Sequence, residues 1–264
     1  MTEPASDPPA NAPPTGWSDR ALQAGDNPHQ QADKARRVCE MFSAIAGSYD
    51  RNNRLHSLGV DVLWRRKTVA MAQLRPGEQV VDVACGTGDL SRAFAKAGAG
   101  AVAGVDFAGP MLQVAHRKPM RSAAKPAYAL GDAMRLPIAT ASADVVSIAF
   151  GIRNVVDWQA AIREFRRVLR PGGRLVILEF DRVRIPVLGP LYRLYTERVM
   201  PRTAGWLARD GVGAYRYLPR SVATFVTGQQ LAEGMAQAGF QDVVTKPLAL
   251  GAAAIHRGRV GPAG

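Results

Sequence analysis

Two glycines in the run Val80-Val81-Asp82-Val83-Ala84-Cys85-Gly86-Thr87-Gly88-Asp89-Leu90 could bring bare backbone against a ligand. Apolar, β-branched residues lead into them and read as a buried strand. The strand breaks at Gly86 and Gly88, and a helical pattern follows over 89–97. With no Cβ in the way, such a turn approaches a ligand closely. The new helix N-terminus offers unpaired N–H groups to a carboxylate or phosphate. The chemistry predicted is nucleotide or nucleoside binding. A dinucleotide fingerprint would need a third glycine where Ser91 stands.

Other residues with matching chemistry recur where later strands should end. Asp106 lies 18 residues past Gly88, at the tip of the apolar segment 101–105. An acid at that spacing accepts hydrogen bonds from ribose hydroxyls. The same residue could instead cap the helix expected over 110–118. Asp132 follows a short strand at 128–130 and could accept from an adenine amino group or close a turn. Arg153 and Asn154 follow the apolar strand 143–150. Tyr49 and Asp50 sit in a polar segment between two helical stretches, 34–45 and about 61–73.

The elements that must position these groups alternate. Strands are expected near 80–84, 101–105, 128–130, 143–150 and 174–180, with helices between them. The pattern predicts an α/β fold, a mostly parallel sheet with helices on both faces, ligands binding beyond the carboxyl ends of its strands. A helix over 228–238 and two closing strands within 241–255 complete it. Val38, Met41, Phe42 and Ile45 recur at helical spacing and are read as core packing. Residues 1–32 are rich in Pro and small polar residues and read as a disordered tail, with order beginning near Asp33. The domain is expected over 33–259, with 260–264 a flexible end. Residues 181–226 interrupt the alternation. Arg182, Arg184, Arg193, Arg198, Arg202, Arg209, Arg216 and Arg220 interleave there with apolar and aromatic residues. This reads as a basic helical cap over the ligand edge, suited to an anionic membrane surface or serving simply as a lid.

The chain has 264 residues and a net charge of +12, mostly from arginine. Such a surface attracts phosphates of nucleic acid or lipid, or serves solubility alone. No apolar run is long enough to span a bilayer, and the first residues carry no basic-then-apolar signal pattern. Cys39 and Cys85 form no motif, and four histidines show no metal-ligand spacing, so no metal is expected.

The run from Asp82 to Asp89 resembles the first motif of class I S-adenosylmethionine (SAM) methyltransferases, which have a Rossmann-like fold. Three more signatures narrow the likeness. They are Phe42-Ser43-x-Ile45-Ala46-x-x-Tyr49-Asp50-x-x-Asn53 continuing into Ser57-Leu58-Gly59 and Leu63-Trp64-Arg65, then Phe150-Gly151-Ile152-Arg153-Asn154-Val155-x-Asp157, then Tyr215-Arg216-Tyr217-Leu218. Together they are similar to the ubiquinone/menaquinone biosynthesis C-methyltransferase family over about 37–258. The resemblance implies SAM-dependent methylation of a ring carbon of a prenylated quinol. It implies cofactor contacts at Thr87, Asp106, Asp132 and Ala133, beside Asp82, Gly86 and Gly88, which the glycine turn itself places in the cofactor site. Ala149 stands where that family commonly has a serine and is counted in the cofactor site without the hydroxyl. Arg153 and Asn154 would bind a ring oxygen as charge develops, or clamp a loop. Water, Asp132 or the Tyr49-Asp50 pair would take the proton. A cytoplasmic enzyme at a membrane surface follows, and a homo-oligomer is compatible with it. The rival reading is a SAM-dependent methyltransferase of RNA or another aromatic substrate. The chain lacks the Asn/Asp-Pro-Pro-aromatic motif of amino-group methylation and a cysteine placed for pyrimidine attack, so no nucleic-acid partner is expected.

Overall fold

The computed structural model describes residues 16–17, 26–57, 59–120, 125–181 and 213–262. Of the basic cap expected over 181–226, residues 182–212 lie outside them, and its end forms a helix over Ala214–Thr224. Among the described residues, helices α1 (Lys34–Ile45), α2 (Tyr49–His56) and α3 (Val60–Ala72) precede the first strand. Then come β1 (Gln79–Val83), α4 (Asp89–Lys96), β2 (Ala101–Asp106), α5 (Gly109–Arg117) and β3 (Ala127–Leu130). β4 (Ala143–Ala149), α6 (Trp158–Val168) and β5 (Leu169–Phe180) follow. The chain closes with α7 (Ala214–Thr224), α8 (Gly228–Gln237), β6 (Phe240–Leu248) and β7 (Ala253–Val260).

The seven strands form one sheet in the order β3-β2-β1-β4-β5-β7-β6. β1 pairs in parallel with β2 on one side and β4 on the other. β5 joins β4 in parallel, and β7 runs antiparallel to both β5 and β6. The order reverses at β1, so β1 and β4 flank the switch point where open α/β sheets bind ligands.

Side chains on a strand alternate between faces. Val81, Val83, Val146, Ile148 and Ile177 pack with Ile162 and Phe165 of α6 and Leu231 and Met235 of α8. Val80, Val145, Val176 and Ile255 pack on the opposite face with Leu90 and Phe94 of α4 and Ala72 of α3. The helices start where local chemistry lets them. Asp157 accepts from the Ala160 N–H at 2.9 Å to cap α6, and Thr227 with Gln230 forms a capping box on α8.

Order begins earlier than the sequence suggests. Trp17 is fully buried and stacks on Tyr217 of α7, ring centroids 4.8 Å apart. A short 3-10 turn, Pro28–Gln30, leads into α1, and His29 Nε2 lies 2.9 Å from the Ser221 carbonyl. A buried tryptophan supplies a large apolar contact that composition averaged over the segment does not reveal.

Candidate active site

A pocket of about 850 Å³, counting its open mouth, lies at the carboxyl ends of β1, β2 and β4. Val83, Ala84 and Gly86 form its floor, with Asp106 and Phe107 to one side and Ala149, Phe150 and Gly151 to the other. Asp132, Ala133, Asn154, Val155 and Val156 extend the wall. Ala35, Val38, Cys39 and Phe42 of α1, with Tyr49 of α2, close the remaining side.

Asp106 organises the floor. Its Oδ2 accepts from the Gly86 N–H at 2.7 Å, and its Oδ1 from the Ala108 N–H at 2.8 Å. Burial raises its pKa, and the backbone hydrogen bonds oppose the rise. It does not cap α5, whose N-cap is Ala108 with no side-chain hydrogen bond; each of its carboxylate oxygens keeps a second lone pair for a further donor. Gly86 has φ +55°, and nothing would meet a Cβ there within 4 Å, so its bare backbone faces open space. Ala84 at φ +49° and Phe150 at φ +56° hold the left-handed region without being glycine. Such strain concentrates at functional sites, and here it marks the ends of the two strands that flank the switch point.

Of the anticipated cofactor residues, Gly86, Asp106, Asp132, Ala133 and Ala149 line the pocket. Three others are placed behind it. Asp82 shares its strand face with Val80, which directs it into the α4 layer. There Ser91 and Ser147 hydroxyls donate to it at 2.6 and 2.8 Å, and burial pushes its pKa up to about 6. Thr87 is buried and donates its hydroxyl to Asp50. Gly88 has φ +80° beneath the Tyr128 ring, where a Cβ would collide. Its glycine serves packing and the start of α4.

Of the anticipated catalytic residues, Tyr49 and Asn154 line the pocket, whereas Asp50 and Arg153 do not. Burial raises the Tyr49 pKa, so its phenol keeps its proton at neutral pH. Asp50 is bound to Thr87 and to the Lys118 ammonium, which also meets Asp89 at 2.7 Å. That network ties α2 to the glycine turn. Arg153 is buried, and its Nη1 donates to Glu179 Oε1 at 2.7 Å and to the Phe150 carbonyl at 2.6 Å. The clamp alternative describes this guanidinium, because a buried Glu179 holds it inside the protein. Asn154 is fixed at both ends of its amide. Its Oδ1 accepts from Tyr217 at 2.8 Å, and its Nδ2 donates to the Phe150 carbonyl at 3.3 Å.

Part of this wall goes beyond what the sequence predicts. The stripe assigned to core packing gives Val38 and Phe42 to the pocket. Lys34 is buried, and its Nζ donates to the Arg153 and Val155 carbonyls on either side of Asn154. Burial first, and the Arg153 charge second, hold its pKa down at about 8. The sequence carries a signal for it: Lys34, Val38, Met41 and Ile45 share one helical face. Among the described residues no cluster of His, Cys, Asp and Glu could hold a metal ion. No described helix is long and apolar enough to cross a membrane.

The sheet order, with antiparallel β7 between β5 and β6, and a switch-point pocket floored by a glycine turn are the architecture of class I methyltransferases. A solved SAM-dependent methyltransferase from Thermotoga maritima shares the fold. It has a TM-score of 0.60 and 21% identity, covering 84% of this chain and 99% of that one. Residues 30–260 match the ubiE/COQ5 methyltransferase family, and the chain belongs to it. The demethylmenaquinone methyltransferase of Thermus thermophilus is 45% identical over 219 residues, 83% of this chain and 99% of that protein. The ubiquinone/menaquinone biosynthesis C-methyltransferase UbiE of Bdellovibrio bacteriovorus is 40% identical over 225 residues, 84% of this chain and 95% of its own length.

Proposed function

We propose that this enzyme transfers the methyl group of SAM to a ring carbon of a prenylated quinol. That is demethylmenaquinol methylation or the corresponding benzoquinol step. The observation that carries the reading is Asp106, which clasps the Gly86 turn on the pocket floor and still has lone pairs for two ribose hydroxyls. The pocket fits SAM: an open glycine cradle, a ribose acceptor and a further acid at Asp132 for the adenine amino group. Bound there, SAM supplies an electrophilic methyl group.

The chain's own residues do the rest. Val38, Phe42, Val155 and Val156 give the pocket an apolar wall, which suits a prenylated ring better than a phosphate-bearing polymer. Asn154, immobilised by Tyr217 and Phe150, offers its second amide N–H to a ring oxygen as negative charge develops. Tyr49, with its raised pKa, acts as a hydrogen-bond donor rather than a proton acceptor. Fixed partners reduce the entropy lost on aligning ring carbon and methyl. The +12 net charge supports work at an anionic membrane surface on the cytoplasmic side, where the prenyl tail is held.

Calorimetry of SAM binding tests the reading. Asp106→Ala should weaken binding by ~1.5–3 kcal/mol, the loss of a charged acceptor. An unchanged Kd would place the ribose elsewhere. Mass analysis of the quinones in a strain lacking the gene should reveal a precursor short by one methyl group.

A further inference from the structure

The stretch from Val60 through Leu63-Trp64-Arg65 contributes nothing to the pocket lining; Trp64 packs on the core, whereas Val60, Val62 and Leu63 are exposed. Leu55 and Leu63 are each 48% exposed, and Val60 and Val62 each 38%. Around them on α2 and α3, Arg51, Arg54, Arg66 and Lys67 are exposed. The only acid between Arg51 and Arg75 is Asp61, which is buried and paired with Arg65. Every exposed charge of that stretch is therefore positive. Asp50, just before it, is bound to Lys118.

At helical spacing Leu63 shares the outer arc of α3 with Arg66 and Lys67, and Val60 and Val62 flank it on either side; exposed apolar side chains grouped in this way cost solubility and need a reason. Apolar residues ringed by cations, with no exposed acid among them, match an anionic bilayer surface: the side chains enter the headgroup boundary and the cations meet lipid phosphates. A protein partner would match as well only if it combined an apolar patch with an acidic rim. Position argues for the bilayer. Tyr49 lines the pocket, and Leu55 is six residues further along the same helix, about 9 Å at 1.5 Å per residue. A substrate whose tail lies in lipid must enter close to where the protein touches lipid.

We propose that the exposed α2–α3 face, Leu55, Val60, Val62 and Leu63 within their basic ring, docks the enzyme on anionic phospholipid. This rests on the membrane-held quinol substrate proposed above, and its test separates the two. The full-length enzyme would be sedimented with vesicles of neutral phosphatidylcholine, with and without one third phosphatidylglycerol, at low and high salt. Binding should require the anionic lipid and weaken with salt. Arg66→Gln with Lys67→Gln should lower the partition coefficient about 5-fold per removed cation at low salt. Leu55→Gln with Leu63→Gln should lower it at both salt concentrations. All variants should keep the wild-type SAM Kd and turnover of a soluble short-tailed quinol, but lose turnover of a long-tailed quinol in vesicles. Wild-type partition in both double variants would overturn the docking surface while leaving the methyltransferase reading intact. A wild-type dimer that the leucine variants dissociate, without change in vesicle binding, would assign the face to a second copy and overturn it equally. Loss of turnover with the soluble quinol in every form, wild type included, would instead sink the substrate assignment.

Discussion

A carboxylate sealed inside a protein needs a cation, and Glu179 has the Arg153 guanidinium at 2.7 Å. Removing one member of such a buried pair costs about 3–5 kcal/mol, because the other is left uncompensated. Arg153→Met should therefore lower stability by about that much in urea unfolding, with SAM affinity of the folded fraction unchanged. Wild-type stability with turnover abolished would restore a direct catalytic role. The residue scale also separates what the sequence discloses from what it hides. Asp106, Asp132 and Asn154 are identifiable because an acid or amide just past a strand must face the strand ends. Asp82 departs from expectation, and Arg153 takes the clamp alternative and not the ring-oxygen one, for one reason: type and position along the chain do not say which way a side chain turns. Asp82 obeys the alternation that sends Val80 to the α4 face, and Arg153 follows a carboxylate 26 residues away. Glu179 stands inside the apolar run of β5, and an acid in such a run is itself a signal for a buried ion pair.

Elements with a clear period are legible. α1, the strands at the centre of the sheet and α6 fall within a few residues of expectation, because one apolar face or a β-branched run specifies each. α2 reads in the sequence as an irregular polar segment. Its residues, Tyr-Asp-Arg-Asn-Asn-Arg-Leu-His, have no apolar stripe, and contacts made through Asp50 hold it instead. The N-terminal segment escapes composition for a related reason, since a few single contacts and no apolar stripe dock it. Its anchors are specific: Trp17 on Tyr217, His29 at the Ser221 carbonyl, and Arg220 Nε donating to the Asp26 carbonyl at 2.7 Å. Deleting residues through Gln30 should lower stability by about 3–5 kcal/mol, dominated by the buried tryptophan. Because Tyr217 orients Asn154, turnover should fall as well. An unchanged melting temperature would show that these contacts are dispensable.

At the scale of the whole molecule, acid should act through groups far apart in the fold. Burial lowers His29 and His256 to about 4, and raises Asp82 to about 6. Between pH 6.5 and 4 the unfolded chain binds protons on both imidazoles that the folded chain refuses, so stability falls as pH falls. Asp82 works the other way, since the folded state takes its proton first. Two histidines against one aspartate leave a net loss of about 1 kcal/mol per pH unit. Urea midpoints measured between pH 6.5 and 4.5 would check this, and His256→Gln should flatten the slope. A slope of the opposite sign would mean that Asp82 dominates.

The position of β7 carries one more consequence. Among the described residues it is the last strand, yet it lies between β5 and β6, and β7 is the one described strand that β6 pairs with. On the ribosome, β5 therefore emerges with one side unpaired, exposing a hydrophobic edge that invites pairing with other chains. About 80 further residues must be made before Ala253–Val260 can cover that edge, several seconds at ordinary elongation rates of ~5–20 residues per second. During that interval the nascent enzyme is at its most aggregation-prone. Messages truncated before codon 253 should yield insoluble protein or demand chaperones, although the entire pocket floor has already been translated.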